Sequence, residues 1–150
     1  MLGSSMQNEE NYISCAIDQL GEEAKFLPEL TGTINALAAF AKTLIPGSMY
    51  RKEGERFVLR PCAFATFTVR RKRSHHLTIT LRGNIGEFAV ERELPLINDR
   101  GSAYASCNLR SPDGLAAAAG YIKRACEIYN RGRTRILKKP VITEEQLAGQ

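Results

Sequence analysis

Several kinds of functional residue are scarce in this 150-residue chain, which contains no tryptophan, two histidines and four cysteines. The cysteines stand far apart in the sequence, whereas zinc sites need close pairs of cysteine or histidine. Each cysteine lies in an apolar pattern, which favours reduced, buried thiols and a cytoplasmic protein over a disulfide framework. No apolar run reaches the roughly 20 residues of a membrane-spanning helix, and the first residues lack the pattern of a signal peptide. We therefore expect no metal, no cofactor and no membrane partner.

Catalytic groupings are also scarce. A magnesium-dependent nuclease carries an acid two residues before a lysine on a strand, and here only Glu23-Ala-Lys25 has that spacing, just past a predicted helix end. Glu91-Arg-Glu93 has two acids and no lysine, and Ser111 is better explained as a helix cap than as a nucleophile. The sequence therefore favours a non-enzymatic protein, because an enzyme would need a pocket assembled from distant segments.

Positive charge is what the chain has in quantity, and it is unevenly distributed. The formal net charge is +5, and the positive charge is concentrated in residues 51–82 and 123–139. The first block contains Arg70-Arg71-Lys72-Arg73 between two β-type segments, and we call this tetrad the basic turn. The second block includes Arg131, Arg133 and Arg135, which follow a predicted helix. The rest of the chain is net acidic, so a single positive surface is expected if the fold brings both blocks together.

Hydrophobic periodicity predicts helices at the two ends of the chain and strands between them. Apolar residues recur at helical spacing over residues 9–20 and 28–44, and Ser111-Pro112 predicts the start of the last helix. From Met49 onward the period becomes two, which predicts strands at 57–59, 63–69, 77–82, 87–93 and 103–109. We expect an α+β fold, a two-layer sandwich in which an antiparallel sheet of four to five strands packs against two N-terminal helices and one C-terminal helix.

One domain accounts for most of the chain. We predict a flexible N-terminus over residues 1–8, a single α+β domain over residues 9–130, and a flexible tail over residues 131–150 that is first basic and then acidic. Pro95 and Asn98-Asp-Arg-Gly101 predict a loop before the final strand.

Four segments carry a resemblance to known proteins. They are Ile45-Pro-Gly47 after a helix, His76-Leu-Thr-Ile-Thr-Leu-Arg82 in the meander, Ser102-Ala-Tyr-Ala-Ser-Cys-Asn-Leu-Arg-Ser-Pro-Asp113 and Tyr121-Ile-Lys-Arg-Ala-Cys-Glu-Ile-Tyr129. Over about residues 28–130 the chain resembles small bacterial α+β domains of unknown function, which occur alone or appended to restriction-endonuclease-like proteins. The resemblance implies the fold and a nucleic-acid context, and it transfers no catalytic residue.

Two functions from different classes fit these observations. The first is binding of DNA or RNA through phosphate contacts, for which the candidate residues are Arg70, Arg71, Lys72, Arg73, Arg82, Arg131, Arg133 and Arg135. The second is a protein-interaction or small-ligand module that uses a polar strand face, formed by Thr66, Thr68, His76, Thr78 and Thr80.

The same residues also fit explanations without a binding role. The basic turn would then be a solvated hairpin turn whose charges discourage edge-to-edge aggregation, and the basic tail would serve solubility. An acidic protein is an alternative partner for the basic turn, and an exposed strand edge allows a homodimer. Aromatic residues suited to stacking on bases are scarce near either basic block, which argues against sequence-specific recognition of single strands.

Overall fold

A computed structural model of the chain describes residues 16–99, 101 and 103–132, together with the backbone of residues 133–149. The α+β prediction is confirmed, since this part of the chain forms three α-helices and one antiparallel sheet of six strands. The helices are α1 (16–24), α2 (Thr31–Leu44) and α3 (Leu115–Gly149). The strands are β1 (Met49–Glu53), β2 (Arg56–Arg60), β3 (Ala65–Arg70), β4 (His76–Arg82), β5 (Ile97–Asp99) and β6 (Tyr104–Leu109). Short 3-10 helices lie at Ile85–Glu87 and Pro112–Gly114.

The strand order in the sheet is β1-β2-β3-β4-β6-β5, and neighbouring strands are antiparallel. The meander β1 to β4 therefore continues into β6, and the short strand β5 closes the far edge. Register follows the hydrophobic pattern, because Leu77 lies opposite Leu109 and Ile79 lies opposite Cys107. One face of the sheet is consequently apolar and is covered by the helices.

Aromatic and aliphatic side chains fill the space between the sheet and the helices. Phe57, Phe64 and Phe67 are completely buried, and they supply the volume that tryptophan would otherwise provide. Helix α2 is rich in alanine, which lets it approach the sheet closely enough for the Tyr50 hydroxyl to donate to the Ala38 carbonyl at 2.7 Å. The helical layer is thus held to one side of the sheet by packing and by a buried hydrogen bond.

The strand predicted at residues 87–93 is wrong, and the loop predicted after it contains a short strand. Residues 85–87 form a 3-10 helix instead, and Val90, in the middle of the predicted strand, is 48% exposed. The hydroxyl of Tyr121 on α3 accepts from the Glu91 N–H at 2.6 Å and donates to the Leu94 carbonyl at 2.7 Å. These bonds hold the segment against the helix, so its backbone groups are satisfied without joining the sheet. The free edge of β6 is then paired by β5.

Two helix ends differ from the predicted boundaries. Helix α1 continues past Gly21 to residue 24, because Leu20 and Ala24 are both buried and extend the apolar stripe beyond the glycine. Helix α3 continues at the backbone level to Gly149, beyond the predicted end near residue 130. The side chains beyond Gly132 and all of residues 1–15 lie outside the described part of the chain, so the predicted flexible termini stay predictions.

The expectation of buried thiols is confirmed at Cys62, Cys107 and Cys126, which are all free, and Cys15 lies outside the described residues. Burial raises the pKa of the Cys107 thiol to about 12 and raises the pKa of Cys126 as well. The Cys107 and Cys126 thiols are therefore protonated, and all three cysteines serve as small core residues. No helix among the described residues combines the length and the apolar composition that crossing a membrane requires.

Candidate nucleic-acid interface

The face of the sheet opposite the helices has a polar centre, which we call the threonine strip. Its members come from three adjacent strands and lie side by side in register: Thr66, Thr68, Thr78, Thr80, Ser106 and Asn108. The Thr78 hydroxyl donates to the Asn108 side-chain oxygen at 3.0 Å. The hydroxyls of Thr66, Thr68 and Thr80 make no side-chain hydrogen bond within the described residues. Thr68 is only 3% exposed, so the hydroxyls of the half-buried Thr66 and Thr80 are the ones whose hydrogen-bonding capacity is free for a partner.

Arginines surround the threonine strip on the same face, and we call them the arginine border. The strand register places five of them there: Arg51, Arg56, Arg60, Arg70 and Arg82. All are exposed except Arg56, which is half-buried opposite Thr68. The described strands place two acids, Glu53 and Asp99, on this face. Positive charge thus borders the polar centre along β1 to β4 and not on the β5 side, and only Arg70 and Arg82 among these five belong to the residues proposed from sequence.

One arginine of the border is neutralised by an acid on the same face. Arg60 donates to Glu53 through Nε at 2.8 Å and through Nη2 at 2.9 Å, a bidentate pair between half-exposed side chains. Val58 lies between these two positions on the same face and is only 4% exposed. The long side chains of the pair shield this valine from solvent.

At the other end of β4, Arg82 lies beside Tyr104 of β6. The guanidinium donates to the tyrosine hydroxyl at 3.3 Å and its carbon is 5.5 Å from the ring centroid. Tyr104 is half-buried and is the aromatic residue that the described strands place on this face. The threonine strip itself therefore offers no row of aromatic rings on which successive bases stack.

The four residues of the basic turn have different environments. Arg70 lies 3.8 Å from the Glu55 carboxylate, and Arg71 stacks its guanidinium on the ring of Phe26, 3.8 Å from the ring centroid. Lys72 and Arg73 are exposed and form no ion pair within the described part of the chain. These last two are consequently the residues of the turn whose charges are least committed to the protein.

The basic turn forms one wall of a cleft of about 780 Å³, whose other walls are α1 and the β1–β2 turn. The cleft is lined by five basic and three acidic residues. All three acids are already paired, Glu22 with Lys25 at 3.0 Å, Glu23 with Lys52 at 3.3 Å and Glu55 with Arg70 at 3.8 Å. Lys72 and Arg73 therefore leave the cleft with an excess of positive charge.

His76 lies on the threonine side of the sheet between Arg70 and the position of Arg110. It is 9% exposed, and its Nδ1 is 2.8 Å from the Ser74 hydroxyl. Burial lowers the pKa of His76, and the charges of Arg110 and then Arg70 lower it further. The imidazole is therefore neutral at neutral pH, so it extends the hydrogen-bonding surface without adding charge.

The two basic blocks of the sequence do not meet in the fold. Helix α3 starts beside the β3–β4 end of the sheet and runs back toward Gly83, whose backbone packs against Ile128. Arg131 lies at that far end and pairs with Glu87 at 3.4 Å. It is separated from the basic turn by the length of β4, about 20 Å. Arg133 and Arg135 lie outside the residues whose side chains are described.

No group of three or more histidine, cysteine, aspartate or glutamate residues is clustered closely enough to hold an ion among the residues searched, which are the described ones. Ser111 accepts from the Asp113 N–H at 3.2 Å at the start of the helix that leads into α3, which confirms its role as a cap. What the surface offers chemically is guanidinium, ammonium and hydroxyl donors.

No protein-family model matches the chain, and no curated protein or solved structure is significantly similar to it. The function is therefore inferred from the geometry of this chain alone.

Proposed function

We propose that this protein binds nucleic acid through the phosphate backbone and performs no chemistry on it, either as a stand-alone domain or as an accessory to another protein. The observation that carries the proposal is the arginine border around the threonine strip, continued by Lys72 and Arg73 of the basic turn. The three buried free thiols suit a reducing compartment, so we place the protein in the cytoplasm.

The chemistry of the surface fits the phosphate groups of a polyanion. Guanidinium groups present a planar fork that donates two parallel hydrogen bonds to a phosphate or carboxylate. Hydroxyl groups such as those of Thr66 and Thr80 also donate to phosphate oxygens, and such contacts fix position without reading sequence. The border extends across β1 to β4, so it matches a ligand with charges repeated over a distance, which a polyanion provides and a small ligand does not.

A second candidate function has its own observation. The unpartnered, half-buried hydroxyls of Thr66 and Thr80 also suit a protein partner or a small polar ligand that docks on the strip. An acidic partner would use the same arginine border. The two candidate functions differ in which surface feature they require. A nucleic acid requires the charges, whereas a partner that docks on the strip is excluded by a bulky side chain at its centre.

The experiment is fluorescence anisotropy of labelled duplex DNA, single-stranded DNA and RNA, titrated with the protein over a range of salt concentrations. The test variant combines Lys72→Glu with Arg73→Glu, which reverses the two uncommitted charges. The matched control combines Lys42→Glu with Lys123→Glu, which makes the same change in net charge on the helical layer. Thr80→Lys tests the second candidate, because it places a long side chain in the strip while adding positive charge.

We expect the turn variant to lower affinity by about 50-fold or more near 0.1 M salt, since each lost phosphate contact contributes about 0.9 to the slope of log K against log salt. The control variant should bind within a few-fold of the wild type. Equal losses in the two variants would show that only net charge matters and would contradict the proposed surface. Binding that the turn variant retains and that Thr80→Lys loses would favour the second candidate.

A further inference from the structure

An exposed aromatic ring lies beside the basic turn, brought there from a part of the chain with no charge signal. Phe26 is in the connection between α1 and α2 and is 54% exposed, the second most exposed of the large apolar side chains that the structure describes. It is 45 positions from Arg71 in the sequence, yet the Arg71 guanidinium stacks on its ring at 3.8 Å. Since the arginine covers one face of the ring, the exposed surface belongs to the other face and the edge.

The connection that carries Phe26 is fixed by hydrogen bonds. The Phe26 N–H donates to the Glu23 carbonyl at 3.0 Å. The Thr31 hydroxyl lies 2.9 Å from the Ala24 carbonyl and 3.1 Å from the Leu27 carbonyl, so it bridges the residues on both sides of the phenylalanine. The backbone that carries the ring is therefore fixed before any ligand arrives, which lowers the entropic cost of binding against it.

Phe26 also lines a small pocket. The pocket has a volume of about 270 Å³, and its lining includes Pro28, the flat imidazole of His75, the cation Arg110 and the acid Glu29. Sites for drug-sized ligands occupy about 300–1,000 Å³, so this pocket suits one flat ring system rather than a large molecule. Arg71 lies behind the ring and Arg110 lines the pocket beside it, so two cations lie near a base seated on the free face of the ring.

We propose that the protein prefers single-stranded nucleic acid to duplex, and that an unpaired base stacks on Phe26 beside the basic turn. This inference rests on the proposed function and adds the class of ligand to it. Bases in a duplex are paired and stacked on one another, whereas those of a single strand are free to stack on aromatic side chains. Stacking on one ring accepts every base, so it confers preference for single strands without sequence specificity.

The experiment compares wild type, Phe26→Ala and Phe26→Trp in binding three labelled ligands: a single-stranded oligonucleotide, its duplex, and an abasic oligonucleotide of the same length. Phe26→Ala should weaken single-strand binding by about 5- to 150-fold, the range for loss of one stacked base. It should leave duplex binding, abasic binding and the slope with salt unchanged. Val90→Ala, which truncates another exposed apolar residue in the segment beside α3, is the control and should change nothing.

Phe26→Trp supplies an independent readout, because the chain contains no other tryptophan. Its affinity for the single strand should match or exceed that of the wild type, and its fluorescence should be quenched by the single strand and not by the abasic ligand. Binding of all three ligands with equal affinity, unchanged in Phe26→Ala, would overturn the stacking site and leave the backbone-binding function standing. Absence of binding to any ligand by the wild type would overturn both.

Discussion

Removing the acid of the Glu53–Arg60 ion pair should increase the affinity for nucleic acid, whereas most mutations in a binding surface weaken it. If the arginine border binds phosphate, Glu53 competes with the ligand for Arg60, because its carboxylate occupies both arms of the guanidinium fork. The substitution Glu53→Gln removes this competition and also removes one of the two acids on the face. We therefore expect the variant to bind nucleic acid more tightly than the wild type.

The size of the effect follows from the number of contacts released. One additional phosphate contact increases the slope of log K against log salt by about 0.9, which corresponds to roughly tenfold tighter binding at about 50 mM salt. The gain should shrink as the salt concentration rises, and the two proteins should converge near 1 M. Stability should change in the other direction, by at most about 1 kcal/mol, because the pair is half-exposed and screened by solvent.

Anisotropy titrations of wild type and Glu53→Gln across the salt series measure this effect. The matched control is Glu127→Gln, which makes the same change in net charge on α3, where Glu127 lies 3.5 Å from Arg124. A double variant, Glu53→Gln with Arg60→Gln, should lose the gain because the released arginine is absent. Equal affinities for Glu53→Gln and Glu127→Gln would refute the reasoning, since the position of the acid would then be irrelevant.

Two further predictions concern the fold that carries the surface. Tyr121→Phe removes both hydrogen bonds that hold the 88–94 segment, so the free energy of unfolding should fall by about 1–3 kcal/mol. Thermal melting should show a drop of about 2–4 °C per kcal/mol with nucleic-acid binding intact, and an unchanged melting temperature would contradict the assigned anchor. The lowered pKa of His76 predicts that stability is constant above pH 6.5 and is lost as the pH falls below it, because the unfolded chain then binds a proton that the folded chain does not. Chemical denaturation from pH 8 to 5 should show this loss in the wild type and not in His76→Gln, and parallel profiles would contradict it.

The fold class could be predicted because the hydrophobic period changes at Met49 and changes back at the Ser111 cap. The period-two pattern over residues 87–93 predicted a strand that does not form, since such a pattern shows only which side chains point the same way. Tyr121, which is about 30 positions away on the helix, decides the outcome because its hydroxyl bonds to backbone groups of this segment. Short-range patterns carry no information about such a distant hydrogen-bond donor and acceptor.

The candidate site was predictable where charges are contiguous and not where the fold assembles them. The basic turn is visible in the sequence as an unbroken run, whereas Arg51 and Arg56 join the same face only through the β1–β2 register. The place of Phe26 beside the basic turn could not be predicted, because no periodicity links the α1–α2 connection to the turn. Aromatic residues are scarce near the basic turn in the sequence, but the fold brings Phe26 into contact with Arg71.

The most direct test of the central claim is the salt dependence of wild-type binding to a labelled single-stranded oligonucleotide. The five arginines of the border, with Lys72 and Arg73, predict five to seven phosphate contacts at about 0.7 each on a single strand. The slope of log K against log salt should therefore lie between about −3.5 and −5. Absence of binding at low salt, or binding that does not change with salt, would contradict a phosphate-binding surface.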